Sequence, residues 1–139
     1  MSEAKAKYLA AKAAFEETFE KHLQNGVEFI SDQVFIDPEV EIAPGAVILP
    51  GCILRGKTVI GEEAVIGPWS VIDDSVIGAR AVVNASQVRE SRVGQDAVVG
   101  PYASVRGGCE LGRSVRAGSF VELKNARLGE NTQVPHLAY

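Results

Sequence analysis

From residue 36 onward an aliphatic side chain returns about every six residues. The series runs Ile36, Ile42, Ile48, Leu54, Ile60, Ile66, Ile72, Ile77, Val83, Val88, Val93, Val99, Val105, Leu111, Ala117, Leu123, Leu128 and Val134. These anchors define eighteen units, and the four that start at residues 72, 83, 88 and 123 are one residue short. The residue after an anchor is often Gly. The fifth residue is mostly small, as at Ala46, Cys52, Thr58, Ala64, Ser70 and Ala81, and Val76 is read as a member of the same inward column. An aliphatic anchor, an adjoining glycine and a small residue at the turn form the hexapeptide pattern of a parallel β-helix. Each unit is a strand too short to stand alone. Three units close a triangular coil, and coils stack about 4.8 Å apart through backbone hydrogen bonds. An ordinary sandwich would show turn signals only every 8–12 residues or so. The expected fold is therefore all-β, a parallel β-helix of about six coils.

The first thirty residues follow a different period. Ala4, Tyr8, Ala11, Phe15, Phe19 and Leu23 recur at helical spacing, with no Gly or Pro between Glu3 and Gln24. This predicts an α-helix over residues 3–24 with one apolar stripe, packed on its own domain or on neighbouring chains. Ser2 is a suitable N-cap, and Asn25-Gly26 supplies a left-handed stop. Glu3–Lys7 and Glu17–Lys21 stand in the favourable i,i+4 order. His22, near the helix C-terminus, is expected to be solvated or favoured by the dipole rather than to act as a ligand. The expected division is residues 1–30 as helix and linker and 31–139 as the β-helix.

Every third unit lies on one face, so the residue after each anchor forms a vertical column. One face gives Ala43, Gly61, Gly78, Gly94, Gly112 and Gly129; the next gives Leu49, Gly67, Asn84, Gly100, Gly118 and Pro135. The remaining face gives Asp37, Arg55, Asp73, Arg89, Arg106 and Lys124, all charged. The sign alternates up to Arg89 and then fails. Opposite charges on adjacent strands stabilise a little, and like charges cost. The top of the column therefore calls for an anion: Glu110, Glu122, a neighbouring chain, or a ligand phosphate, to which Arg and Lys are well suited. His136 falls at the corner leading into this face. Tyr139 is expected to point outward one step beyond Lys124. A titratable imidazole beside a phosphate-sized cationic site is the minimum for base catalysis on a phosphorylated substrate.

Composition narrows the classes. The chain has 139 residues, enough for one domain with a core, and a net charge of −4, which argues against a nucleic-acid binder. No apolar run is long enough to span a membrane, and no basic start precedes an apolar run, so a cytoplasmic location is expected. Cys52 and Cys109 both fall at the small inward position, on different faces and several coils apart. They are read as buried apolar residues and not as a disulfide.

Three stretches carry a family resemblance: Gly100-Pro101-Tyr102-Ala103 with Arg106, Phe120-Val121-Glu122-Leu123-Lys124-Asn125-Ala126-Arg127-Leu128-Gly129, and His136-Leu137-Ala138-Tyr139. They resemble the acetyltransferase domain of the bifunctional N-acetylglucosamine-1-phosphate uridyltransferase/glucosamine-1-phosphate N-acetyltransferase. The resemblance implies a left-handed coil, against the usual right-handed rule for crossovers, and a homotrimer. It implies that Arg106 and Lys124 hold a sugar phosphate and that Tyr139 contacts the substrate. It also implies that His136 takes a proton from the glucosamine amine as the amine attacks acetyl-CoA, a co-substrate and not a tightly held cofactor. No metal is implied, and no residue is assigned to acetyl-CoA. The uridyltransferase domain is expected to be absent. Gly107 stands where the family usually has Pro, and Ser119 where it usually has Asn. The family's domain continues past the position of Tyr139, with further substrate contacts and most of the acetyl-CoA site. The chain is therefore expected to be a truncated piece that does not turn over by itself.

Other readings compete. A carbonic-anhydrase-like zinc β-helix needs three His ligands, and only His22 and His136 exist. A non-catalytic trimeric module would use the basic column as an ion-paired interface. A hexapeptide acyltransferase with another amino-sugar acceptor would share every feature above.

Overall fold

The computed structural model describes residues 1–139. Helix α1 spans Glu3–Gln24, with the Ser2 side chain accepting from the Lys5 N–H at 3.0 Å. Nineteen short strands follow. The first coil contains β1 (Glu28–Phe29), β2 (Phe35–Ile36) and β3 (Glu41–Ile42), and the second β4 (Val47–Ile48), β5 (Ile53–Arg55) and β6 (Val59–Ile60). The third has β7 (Val65–Ile66), β8 (Val71–Asp73) and β9 (Val76–Ile77); the fourth has β10 (Val82–Val83), β11 (Gln87–Arg89) and β12 (Arg92–Val93). The fifth has β13 (Val98–Val99), β14 (Ser104–Arg106) and β15 (Glu110–Leu111); the sixth has β16 (Arg116–Ala117), β17 (Glu122–Lys124) and β18 (Arg127–Leu128). Strand β19 (Gln133–Val134) opens a further coil.

Each strand pairs in parallel with the third strand after it, which gives three sheets of seven, six and six strands. The register stacks anchor on anchor: Leu54 meets Ile36 below and Ile72 above. The anchors from Ile36 to Leu123 are all buried and form one continuous core with the small inward residues. The repeat does not announce β1. Phe29 pairs with Ile48 and Val27 is buried, so the first coil begins inside the segment expected to be linker.

Glycine columns answer a steric demand. A Cβ on Gly78 would lie 2.6 Å from the Gln95 nitrogen and 2.8 Å from the Gly94 carbonyl carbon, so no larger residue fits without moving the coil above. The corners make a second demand. Thirteen non-glycine residues in the turns, from Glu63 to Leu137, have φ between 46 and 63°. Such left-handed residues cost about 1–2 kcal/mol each. Bonding to the coil below offsets the cost: the N–H of Trp69 donates to Pro50, that of Tyr102 to Ala85 and that of Phe120 to Tyr102.

In the short units the inward position shifts. Ser75, Ser86 and Ser91 are buried, whereas Val76 is only half-buried and lies in the outward strand position. The missing residue comes out of the turn, so the fourth residue and not the fifth enters the core. Val76 is therefore not an inward residue.

Helix α1 lies against the first coil and covers its apolar end. Phe19 packs on Phe29 with the rings tilted at 41° and 4.5 Å between their centres, and Ile36, Val40 and Ile42 are buried below. Of the apolar stripe only Phe15 and Phe19 are partly buried; Ala4, Tyr8, Ala11 and Leu23 are exposed. Glu3–Lys7 forms at 4.0 Å, but Glu17–Lys21 does not. The solvated reading of His22 is overturned. Its ring is 3 % exposed, and Nε2 has no hydrogen-bond partner. The same helix face that carries Phe15 and Phe19 turns it inward.

Two measurements test this account. Gly78→Ala should destabilise by about 1–3 kcal/mol in urea, as overpacking does, while Gly129→Ala, with open space around its Cβ position, should be nearly neutral. Equal effects would contradict the stacking explanation. His22 has its pKa lowered, first by burial and then by the Lys21 charge. The folded state therefore holds the neutral ring. The stability this supports is complete above about pH 6.5 and lost as pH falls through the lowered value. The urea midpoint should drop between about pH 7.5 and 5, and less steeply in His22→Leu; parallel profiles would refute the assignment.

Candidate active site on the charged face

The charged column exists as an array across β5, β8, β11, β14 and β17, the strands that run one residue longer than their neighbours. Asp73 pairs in register with Arg55 on one side and Arg89 on the other. Arg55 grips it with two bonds, at 2.7 and 3.1 Å, and Arg89 reaches it at 3.2 Å. Arg89 is thus neutralised from below. Asp37, at the foot of the column, accepts from the Gly56 N–H at 2.9 Å.

At the top, Arg106 and Lys124 face each other in register across β14 and β17. Arg106 reaches sideways to Glu122 at 2.6 Å. That bond and charge raise its pKa further, with a smaller contribution from Tyr139. Glu110 takes no part; it pairs with Arg127 at 3.3 Å on the next face. Of the expected compensating carboxylates, only Glu122 therefore serves this column. Lys124 is exposed and forms no ion pair. Both partners of the Arg106–Glu122 pair are well exposed, so solvent screens the pair and a dianionic ligand can compete for the guanidinium.

Tyr139 is 88 % exposed. The Glu122 N–H donates to the Ala138 carbonyl at 2.8 Å, which sets Tyr139 over Glu122. It stands in the outward column beside Arg106 and Lys124 rather than on top of Lys124. His136 is exposed in the turn after β19, and that turn is fixed by the Leu137 N–H donating to Ser119 at 2.9 Å. No hydrogen bond joins His136 to Arg106, Lys124 or Tyr139. His136 stands at the corner leading into the charged face, and Arg106 and Lys124 stand at the far ends of β14 and β17, on the two coils below. Beside His136 a groove of about 390 Å³ runs over Gly100, Arg116, Gly118, Gln133 and Pro135.

The same corner carries a feature the residue pattern does not announce. Trp69, Tyr102, Phe120 and Leu137 project from one column of turns, interrupted only by Ala85, and are 60–76 % exposed. Tyr102 and Phe120 stack at 5.5 Å, and the Trp69 ring covers the place where Gly51 lacks a Cβ. These are left-handed corner residues. The signal that marks the ridge in the sequence is the turn position sorted by face, in the same way as the residue after each anchor.

The family described as the GMPPB C-terminal domain matches residues 30–136. The chain belongs to that family. Among curated proteins it is similar to the bifunctional protein GlmU of Clostridium acetobutylicum, 49 % identical over 70 residues, and to that of Bifidobacterium animalis subsp. lactis, 42 % identical over 71 residues. These matches cover 50 and 51 % of the chain and 15 % of each relative's length. Among solved structures, the acetyltransferase domain of PglB from Neisseria gonorrhoeae, in complex with acetyl coenzyme A, superposes with a TM-score of 0.74 at 17 % identity. That match covers 80 % of the chain and 55 % of the PglB domain. GDP-perosamine N-acetyl transferase from Caulobacter crescentus, in complex with CoA and GDP-perosamine, gives 0.52 at 19 %, over 79 % of the chain and 54 % of its own. The resemblance to GlmU stands, and the fold is the left-handed β-helix of these acetyltransferases. No helix is long and apolar enough to cross a membrane.

Proposed function

We propose that this domain acetylates the amine of glucosamine 1-phosphate with acetyl-CoA, in the cytoplasm, as a step toward UDP-N-acetylglucosamine. The observation that carries the reading is the cation pair at the top of the column. Arg106 and Lys124 are in register, and Lys124 has no carboxylate partner. A purely structural ladder explains Arg55, Asp73 and Arg89, and in part Arg106, but leaves Lys124 without a reason. A phosphate bridging the two cations supplies one. The GlmU relatives and the acetyl-CoA and CoA bound by the structural neighbours support the reaction class.

In this reading Arg106 and Lys124 hold the phosphate, and Tyr139 closes one side of the sugar. The amine lone pair attacks the thioester carbonyl, so a C–N bond forms and the C–S bond breaks. His136 accepts the amine proton and delivers it to the departing thiolate. The domain works as a homotrimer, and the aromatic ridge beside His136 packs against a second copy; an apolar ridge of this extent is uncommon on a monomer.

Calorimetry with glucosamine 1-phosphate is the direct test. Arg106→Ala and Lys124→Ala should each weaken binding by about tenfold or more, and His136→Asn should leave binding intact while cutting acetyl transfer by about 100-fold or more wherever transfer is measured. A chain that binds no glucosamine 1-phosphate, or prefers a nucleotide-linked amino sugar, would refute the acceptor. Sedimentation at tens of micromolar should give a trimer that Phe120→Glu dissociates. A monomeric wild type, or a trimer indifferent to this change, would rule out the ridge as the interface.

A further inference from the structure

Inside the corner that follows the charged face runs a buried ladder of hydroxyl and thiol groups. Thr58, Ser75, Ser91 and Cys109 occupy the inward position of successive coils and are at most 4 % exposed. Each donates to the backbone carbonyl of the charged residue in its own coil. Thr58 Oγ1 reaches Arg55 at 2.7 Å, Ser75 Oγ reaches Asp73 at 2.8 Å, Ser91 Oγ reaches Arg89 at 2.8 Å and Cys109 Sγ reaches Arg106 at 3.2 Å. Each also accepts from the backbone N–H one coil above: Ser75 N to Thr58 at 3.4 Å, Ser91 N to Ser75 at 3.1 Å, Cys109 N to Ser91 at 3.1 Å and Ala126 N to Cys109 at 3.4 Å. The ladder is continuous over these coils and ends at Cys109, directly beneath Ala126, which has no group to continue it.

The end of this ladder is the step whose turn is built from two consecutive glycines. Between Arg106 and Cys109 stand Gly107 and Gly108, both in the left-handed region with φ of 70 and 80°. Glycine has wide conformational freedom there. Gly108 is tied through its N–H to Glu90 at 3.0 Å, and the Arg106 carbonyl is held by the Asn125 N–H at 3.3 Å and by the thiol. Resting on the proposed acceptor, we infer that Cys109 is a positioning residue. Its thiol fixes the Arg106 backbone, and so the height of the guanidinium relative to Lys124, from inside the coil. Cys109 touches no substrate, and its thiol stays reduced and hydrogen-bonded.

Three variants separate positioning from stability. Val already fills the inward position of this same corner at Val40, so Cys109→Val fits it while removing both bonds. Cys109→Ser keeps them. Thr58→Val breaks the same ladder three coils lower, far from Arg106. Glucosamine 1-phosphate should bind Cys109→Val about fivefold or more weakly, in line with the loss of a fixed contact. Cys109→Ser and Thr58→Val should remain within about twofold of wild type, even if Thr58→Val melts earlier. Exchange of the Ala126 amide, followed by NMR, should speed up in Cys109→Val and return to normal in Cys109→Ser. Wild-type affinity in Cys109→Val, an equal loss in Thr58→Val, or unaltered Ala126 exchange would each overturn the positioning role while leaving the acceptor standing. A wild type that binds no glucosamine 1-phosphate would instead remove the acceptor, and the positioning role with it.

Discussion

Coil-on-coil hydrogen bonding is the constraint on which everything else in this protein depends. Parallel strands lie about 4.8 Å apart, and each strand pairs with its equivalent one coil away. Whatever occupies a position in one coil therefore meets its counterpart in the next at that distance. Inside, this is favourable: aliphatic anchors stack into an unbroken column and small residues fill the corners. At the turns it leaves no room for a Cβ above Gly61, Gly78 and Gly94. It also makes the left-handed corners tolerable, because most of their amides, from Trp69 to Leu137, are bonded to the coil below and not left to solvent.

On the outside, the same spacing brings charges together. Low in the column the sequence alternates sign, and Asp73 is shared by two arginines. Above Arg89 no acid interrupts the column, and compensation has to come diagonally, from Glu122 to Arg106. Lys124 gets none. A scaffold that neutralises its lower cations and leaves the uppermost pair only half neutralised carries a local positive potential at one height. That height is where Tyr139 and the His136 turn arrive.

The period of six makes the anchors, the three faces and the charged column legible, because each depends on a residue's place in the count and not on its neighbours in space. What the count conceals has a physical cause in each case. Strand β1 carries its anchor, Phe29, ahead of the regular series, where spacing has no partner to match. In the short units a residue is lost from the turn, so Ser75 and not Val76 faces the core. His22 reads as a polar residue near a helix end, yet it shares the face that Phe15 and Phe19 bury. Glu110 and Glu122 both offer a counter-charge, but Glu110 lies on the next face in register with Arg127, while Glu122 lies in β17 of the charged sheet. The aromatic ridge escapes the count because left-handed turn positions ordinarily take Gly, Asn or Asp, and nothing local explains Trp69, Tyr102 and Phe120 there.

The short and full units also explain which residue can serve the inner ladder. In a short unit the inward residue lies two positions after the charged residue, and serine reaches back to that carbonyl, as Ser75 does to Asp73 and Ser91 to Arg89. In a full unit the separation is three, and the same bond is made by Thr58 to Arg55 and by Cys109 to Arg106. Ser86 repeats the two-residue reach to Asn84 at the neighbouring corner and accepts from the Ala103 N–H, so the rule belongs to unit length and not to one face. Three of the four short units thus carry a buried serine at the inward position. In the Asp73 turn the serine adds a second donor to a carbonyl that also accepts from the Glu90 N–H. Ala126 is the inward residue of the one short unit without such a donor. It sits beside Lys124, so the inner ladder stops at the height where the outer column loses its counter-charge.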